Sequence, residues 1–244
     1  MLPEHRQHHS RVRLEWGPVG AEAVAPVDLA VVVDVLSFTT TVTVAVERGI
    51  EVVPFRWRDE RAAAVAAERG AVLAVQRQDA RDHGGVSLSP ASLAAAGVRR
   101  VVLPSPNGST ISTVLAGSGA TVVGACLRNR AAVAAWLAPR VAAGASVALV
   151  PAGERWPDGT LRPAVEDLWG AGAVLDALGA AGLSTEAEVA VAAFRAARLP
   201  EDLAACSSGR ELVAKGFADD VSIAADVDAS GVVPVLQDGM FRAA

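Results

Sequence analysis

Asp34 closes a run of three valines, and Ser37, Thr39, Thr40 and Thr41 follow it closely. A carboxylate at the end of a buried strand suits a metal ligand or a nucleophile. A helix that opens on hydroxyls suits an anion, because its first turn leaves backbone N–H groups unpaired and carries partial positive charge. The stretch SPNGST repeats the plan with Asn107, Gly108, Ser109 and Thr110. Gly108 lets the backbone approach an anion closely. Ordinary capping accounts for either turn alone, since Ser, Thr and Asn are common helix caps. Two such turns beside a strand-end carboxylate point instead to an anion site.

The segment VEDLWGAG adds the adjacent carboxylates Glu166 and Asp167. Neighbours on a helix point about 100° apart, so mid-helix the two cannot face one metal. Near a helix start, one can coordinate while the other caps or binds a metal-bound water. Oxygen donors of this kind suit Mg²⁺, which keeps several waters and bridges to substrate phosphate. The metal set expected is Asp34 with Glu166 or Asp167. Arg128, with Asn129 beside it, follows a strand end, and its guanidinium can take an oxyanion in bidentate fashion. A solvent-facing cap is the alternative for Arg128. Neither a Walker-A sequence nor a G-x-G-x-x-G after a strand is present, which excludes nucleotide sites of those kinds. Leu36 stands where aspartyl-phosphate phosphatases place a second aspartate, and Ala132 stands where a cysteine phosphatase built on Cys126 needs arginine. Cys126 therefore reads as a small core hydrophobe.

The elements that must position these groups alternate along the chain. Short apolar, β-branched runs at 12–16, 29–33, 51–55, 72–76, 100–103, 121–123, 146–150 and 232–236 predict strands. Ala-rich stretches at 39–48, 59–69, 91–96, 109–116, 130–143, 165–181, 186–198, 209–215 and 218–225 predict helices. Such alternation predicts a compact three-layer α/β/α fold with a mostly parallel or mixed sheet. The chain reads as one domain over 1–244, or as two closely packed α/β halves, because a strand, polar turn, hydroxyl-rich helix and strand recur loosely. Residues 77–90 and 152–163 read as long polar loops of the kind that carry function. Ligands of open α/β sheets bind beyond the carboxyl ends of strands. Asp34, Asn107 and Glu154 all fall there.

Composition bounds the partners. The chain has 244 residues, 52% hydrophobic and 20% charged, enough to bury a full core. Its net charge of −5 argues against nucleic acid and leaves room for a small anionic substrate. Two cysteines without paired spacing exclude a disulfide scaffold. No apolar run reaches the roughly 18 residues of a membrane span, and the polar start lacks a signal-peptide core. A cytoplasmic protein with no membrane partner is expected. His5, His8 and His9 read as part of a frayed polar tail.

In order along the chain, DVLSFTTT, SPNGS, CLRN, VEDLWGAG and SGRELVAKGFADDVSIAADVDASGVVPVLQDG resemble the 2-phosphosulfolactate phosphatase family. The resemblance implies a Mg²⁺-dependent acid phosphatase that converts (R)-2-phospho-3-sulfolactate to sulfolactate and phosphate, a step of coenzyme M biosynthesis in methanogens. It also implies a compact α/β fold, and it is compatible with a homo-oligomer. Among the positions that depart from the family's usual residues, Ser37 replaces an arginine, Phe38 an alanine, Gln76 a glutamate, Gly85 an aspartate and Leu88 an asparagine. The reading is metal-assisted hydrolysis of a small phosphomonoester. Asp34 and one of Glu166 or Asp167 hold Mg²⁺. Helix-start groups at Ser37, Thr39, Thr40 and Thr41 and at Gly108, Ser109 and Thr110, with Asn107 and Asn129, cradle the phosphoryl oxygens. Arg128 and Arg77 take a second anionic group, and either water or Asp34 attacks. The alternative is a divergent member that binds a small phosphate or sulfonate ligand without metal.

Overall fold

Strands that are apolar without interruption must be covered on both faces. The computed structural model, which describes residues 2–57 and 59–244, has this arrangement. Its strands are β1 (Val12–Leu14), β2 (Leu29–Val33), β3 (Glu51–Phe55), β4 (Val72–Leu73), β5 (Arg100–Pro104), β6 (Thr121–Ala125), β7 (Val147–Pro151), β8 (Glu154–Arg155), β9 (Leu161–Arg162), β10 (Pro234–Gln237) and β11 (Met240–Ala243). Its α-helices are α1 (Gly17–Val24), α2 (Phe38–Glu47), α3 (Glu60–Arg69), α4 (Arg77–His83), α5 (Pro90–Ala94), α6 (Gly108–Gly117), α7 (Arg130–Ala142), α8 (Val165–Leu178), α9 (Thr185–Ala196), α10 (Glu201–Ala205), α11 (Ser207–Ala214) and α12 (Ala218–Ala225). Within β2, Val31 and Val33 join one core while Ala30 and Val32 join the other. Strand β7 divides likewise, Val147 and Leu149 against Ala148 and Val150. Helices α7, α8 and α9 lie over the first core, and α1, α2 and α6 over the second.

One mixed sheet of nine strands runs through the described residues in the order β1-β7-β2-β6-β10-β11-β3-β5-β4. The first four are mutually parallel, as are the last three. The antiparallel hairpin β10–β11 joins the groups through Val235 opposite Val123 and Phe241 opposite Val52. Val52, Val101 and Leu103 of the last group share the second core with Val32 and Val150 of the first. Helix α6 touches β2, β3 and β6, so it is held between the two groups. The loop after β5 thereby meets the loop after β2, where the Gly108 N–H reaches the Asp34 carboxylate.

Several elements escaped the sequence reading. Residues 77–90 were expected as loop, but α4 occupies the first half. It buries none of its residues, so it has no apolar period to read. Its register is held by polar contacts instead, Gln78 Nε2 donating to Asp82 at 2.7 Å. The loop 152–163 contains the hairpin β8–β9, whose strands are too short to alternate visibly. Helices α1 and α10 are short, and α1 is diluted by Gly17, Pro18 and Gly20. The polar start is also better held than a frayed tail. Gln7 is buried and its Nε2 donates to the Leu14 carbonyl at 2.9 Å.

Glycines set the spacing of α8. A Cβ at Gly170 would sit 2.6 Å from Val35 Cγ2, and one at Gly172 would sit 2.0 Å from the Ala190 carbonyl oxygen of α9. Alanine is the better helix former by about 1 kcal/mol. The backbone clash at Gly172 outweighs that gain, since overpacking costs about 1–3 kcal/mol. Gly172→Ala should therefore lower the urea midpoint, and an unchanged midpoint would show that α9 yields without cost.

Candidate active site

Asp34 follows β2 directly and is buried. Its Oδ1 accepts the Phe38 N–H that opens α2 at 2.9 Å, and its Oδ2 accepts the Gly108 N–H that opens α6 at 3.2 Å. The positive ends of two helices thus converge on one carboxylate. Only glycine permits this. A Cβ at position 108 would lie 2.2 Å from Phe38 Cδ1 and 2.9 Å from Asp34 Oδ2.

Asp167, in the first turn of α8, repeats the device. Its Oδ1 accepts the Val35 N–H at 2.7 Å and its Oδ2 the Gly153 N–H at 2.9 Å. It ties the loop after β2 to the loop after β7. Glu166 is equally buried and points elsewhere, with the Cys206 Sγ donating to Oε2 at 3.5 Å. Glu166 and Asp167, expected as alternative metal ligands, differ in their hydrogen-bond partners. Both oxygens of Asp167 serve backbone amides, whereas Glu166 has no backbone partner among the described residues.

Glu154 completes the acidic group. It sits on β8, in the hairpin that folds back over the loop after β5. Asn107 Nδ2 donates to Glu154 Oε2 at 3.1 Å, and Arg155 Nε donates to Asn107 Oδ1 at 3.2 Å. The strand-end rule pointed to Glu154, but nothing in its local sequence marked it as part of the acidic group. Glu154 lines a cavity of about 560 Å³ with Leu36, Gln76, Arg77, Ser208 and Lys215. Arg77 reaches inward from the start of α4, and its Nη2 donates to Ser37 Oγ at 2.5 Å.

The hydroxyls divide. Thr39 Oγ1 bridges Asp34's own backbone, accepting its N–H at 2.9 Å and donating to its carbonyl at 2.8 Å. Thr40 Oγ1 donates to the Val35 carbonyl and Ser109 Oγ to the Leu103 carbonyl. These three shape the turns and have their hydrogens committed. Thr41 Oγ1 is buried with no hydrogen-bond partner among the described residues. Thr110 lies in the first turn of α6, where backbone N–H groups lack helical partners.

Arg128 and Asn129 were expected among the catalytic groups, and the structure directs both away. Arg128 Nη1 donates to the Ile223 carbonyl at 2.9 Å and pairs with Asp226 at 3.2 Å, in a different cavity beside Glu47. Asn129 is fully buried. Its amide donates to the carbonyls of Gly124 and Val232 and accepts from the Cys126 N–H. Its work is to fasten β6 to the segment entering β10.

The family model for 2-phosphosulpholactate phosphatase matches residues 20–239. Over 220 residues the chain is 31% identical to a Deinococcus radiodurans protein named probable 2-phosphosulfolactate phosphatase, covering 87% of this chain and 89% of that one. Both matches are to proteins named as phosphatases.

Packing acids together has an electrostatic cost. Burial pushes Asp34 up to about 6, and Glu166 adds to this while the Phe38 and Gly108 amides and Arg77 oppose it. Burial, then Asp34 and Glu166, hold Asp167 well above the usual carboxylate range. Burial, with Asp34 and Glu166, pushes Glu154 up to about 7 against the pull of Arg162 and Asn107. Burial and Glu166 push the Cys206 thiol up to about 11, so it is no ready nucleophile. A cation would relieve this repulsion. Among the described residues no three His, Cys, Asp or Glu side chains converge to enclose an ion. Mg²⁺ needs no such cage, because one or two carboxylates with waters and substrate phosphate suffice. The hard oxygen donors of Asp34 and Glu166 would suit that open mode.

The repulsion predicts a pH dependence. A carboxyl group that binds its proton more tightly when folded stabilises the fold fully below its unfolded value and loses that contribution as pH rises. For Glu154 the window runs from 4.5 to about 7. In protein stripped of divalent ions, the melting temperature should fall across that window, and it should fall less in Glu154→Gln. Equal declines in the two proteins would contradict the assignment.

Proposed function

This chain belongs to the 2-phosphosulfolactate phosphatase family, and on that premise we propose that it hydrolyses (R)-2-phospho-3-sulfolactate to sulfolactate and phosphate with Mg²⁺ as cofactor. The observation that carries the reading is the convergence of two helix starts on Asp34 beside Glu166 and Glu154, with Arg77 at the cavity wall. Negative groups hold the cation side of such a site. Helix-start amides and a guanidinium hold the anion side.

Each residue has a role in this account. Asp34 and Glu166 would hold Mg²⁺, which when bound neutralises charge on the phosphoryl group. Asp167 fixes the loops after β2 and β7 through its two backbone partners. The free N–H groups of Ser109 and Thr110, with the Thr110 hydroxyl, bind phosphoryl oxygens. Glu154, held through Oε2 by Asn107, orients the attacking water with its other oxygen. Water is favoured over Asp34 as the nucleophile because both Asp34 oxygens already accept amide hydrogens. Arg77 and Lys215 face the remaining anionic groups of the ester.

A second reading rests on Gln76. This neutral side chain lines the cavity where the family usually has a glutamate, which favours an anion-binding protein that has lost its metal. Mg²⁺-dependent phosphate release by the wild type separates the two readings, and one variant then tests Asp34. Asp34→Asn keeps the size of the side chain and removes its charge, and it should cut Mg²⁺-dependent phosphate release by at least ~100-fold. Wild-type turnover in the folded variant would remove Asp34 from the mechanism.

A further inference from the structure

Asp220, on α12, is 1% exposed and lines a cavity adjoining the one beside Glu154, with Arg77 in the wall of both. A buried carboxylate needs partners, and it has three. Arg77 Nε donates to Oδ2 at 3.0 Å, Ser89 Oγ donates to Oδ1 at 2.5 Å, and the Ala91 N–H donates to Oδ1 at 3.4 Å. Ser89 also caps α5, accepting the Ser92 N–H at 3.3 Å. The carboxylate is therefore fixed by α5 on one side and spends its other oxygen on Arg77.

Arg77 is held at several points. Its Nη2 reaches Ser37 Oγ, and its guanidinium lies 5.9 Å from the Phe217 ring centre. It lines both the cavity beside Glu154 and a second one of about 540 Å³ on the side of Asp220. Two of the five guanidinium N–H donors are thus committed to protein, and the rest are left for a ligand. Without Asp220, an arginine at a cavity wall is free to swing into the second cavity.

We propose that Asp220 is a positioning residue: it holds the Arg77 guanidinium against Ser37, so that the remaining donors are aimed before the ester arrives. This rests on the reading of Arg77 as a contact for an anionic group of the substrate. Preorganisation of this kind lowers the cost of binding, because a long side chain need not be ordered by the ligand. Asp220 touches no reacting atom and acts through Arg77 alone.

Steady-state phosphate release tests it in the wild type, Asp220→Asn, Asp220→Ala, Arg77→Ala and the double variant Arg77→Ala/Asp220→Ala. Asp220→Asn should raise KM about tenfold, with a smaller effect on kcat. Once Arg77 is gone, Asp220→Ala should add little, because the two residues act as one unit. A KM within about twofold of wild type in folded Asp220→Asn, or additive effects in the double variant, would overturn the proposal. If Asp220→Ala fails to fold, Asp220→Asn carries the test, with its thermal melt as the folding control. Calorimetry with orthophosphate reads the same coupling without turnover. A wild type that binds orthophosphate yet releases none from the ester defeats the functional reading and leaves the Arg77–Asp220 coupling measurable. A wild type that binds neither defeats both.

Discussion

The Asp34 carboxylate takes its hydrogen bonds from the first turns of two helices. One amide belongs to Phe38 at the start of α2, the other to Gly108 at the start of α6. Much of the architecture serves that meeting. Helix α6 must lie between the two groups of strands, and the hairpin β10–β11 must join them. Phe38 packs edge-on against Phe241 of that hairpin, with ring centres 6.1 Å apart. The contact that places Phe38 beside Gly108 is thereby tied to the strand that joins the sheet. The helix ends also stabilise the charge that burial opposes.

Asp167 extends the same constraint to the loops after β2 and β7. The two aspartates then act as fasteners, and each loop reaches the site already shaped. Glu166 and Asp167 are adjacent in sequence and differ in work. About 100° of helix rotation turns one toward backbone amides and the other toward the acidic group. Glu154, carried by a small hairpin and steadied by Asn107, is the one member of the acidic group that lines the cavity.

Much of this fold was legible because its signals were strong. Strand β2 is an unbroken apolar run, and the hydroxyl-rich start of α2 and the Gly108 turn have ordinary helix-start chemistry. The acidic start of α8 was equally plain. Roles were harder to read than positions. Thr39, Thr40 and Ser109 look like phosphate ligands by type, yet their hydroxyls donate to carbonyls within their own turns. Arg128 follows a strand end as a substrate arginine might be expected to, but a partner at Asp226, distant in sequence, draws it elsewhere. Arg77 takes the inward position because Asp220, also distant in sequence, holds it there. The hairpin around Glu154 and helix α4 lacked apolar periodicity, so only tertiary contacts define them.

In the proposed mechanism, buried acids beside two helix starts hold a cation that meets a phosphate ester. Phosphate release from (R)-2-phospho-3-sulfolactate, measured while Mg²⁺ is titrated into protein stripped of metal, tests it most directly. Release should rise with Mg²⁺ to saturation and be abolished by chelator. Release that chelator leaves untouched, or binding of the ester with no release at any Mg²⁺ concentration, would contradict it.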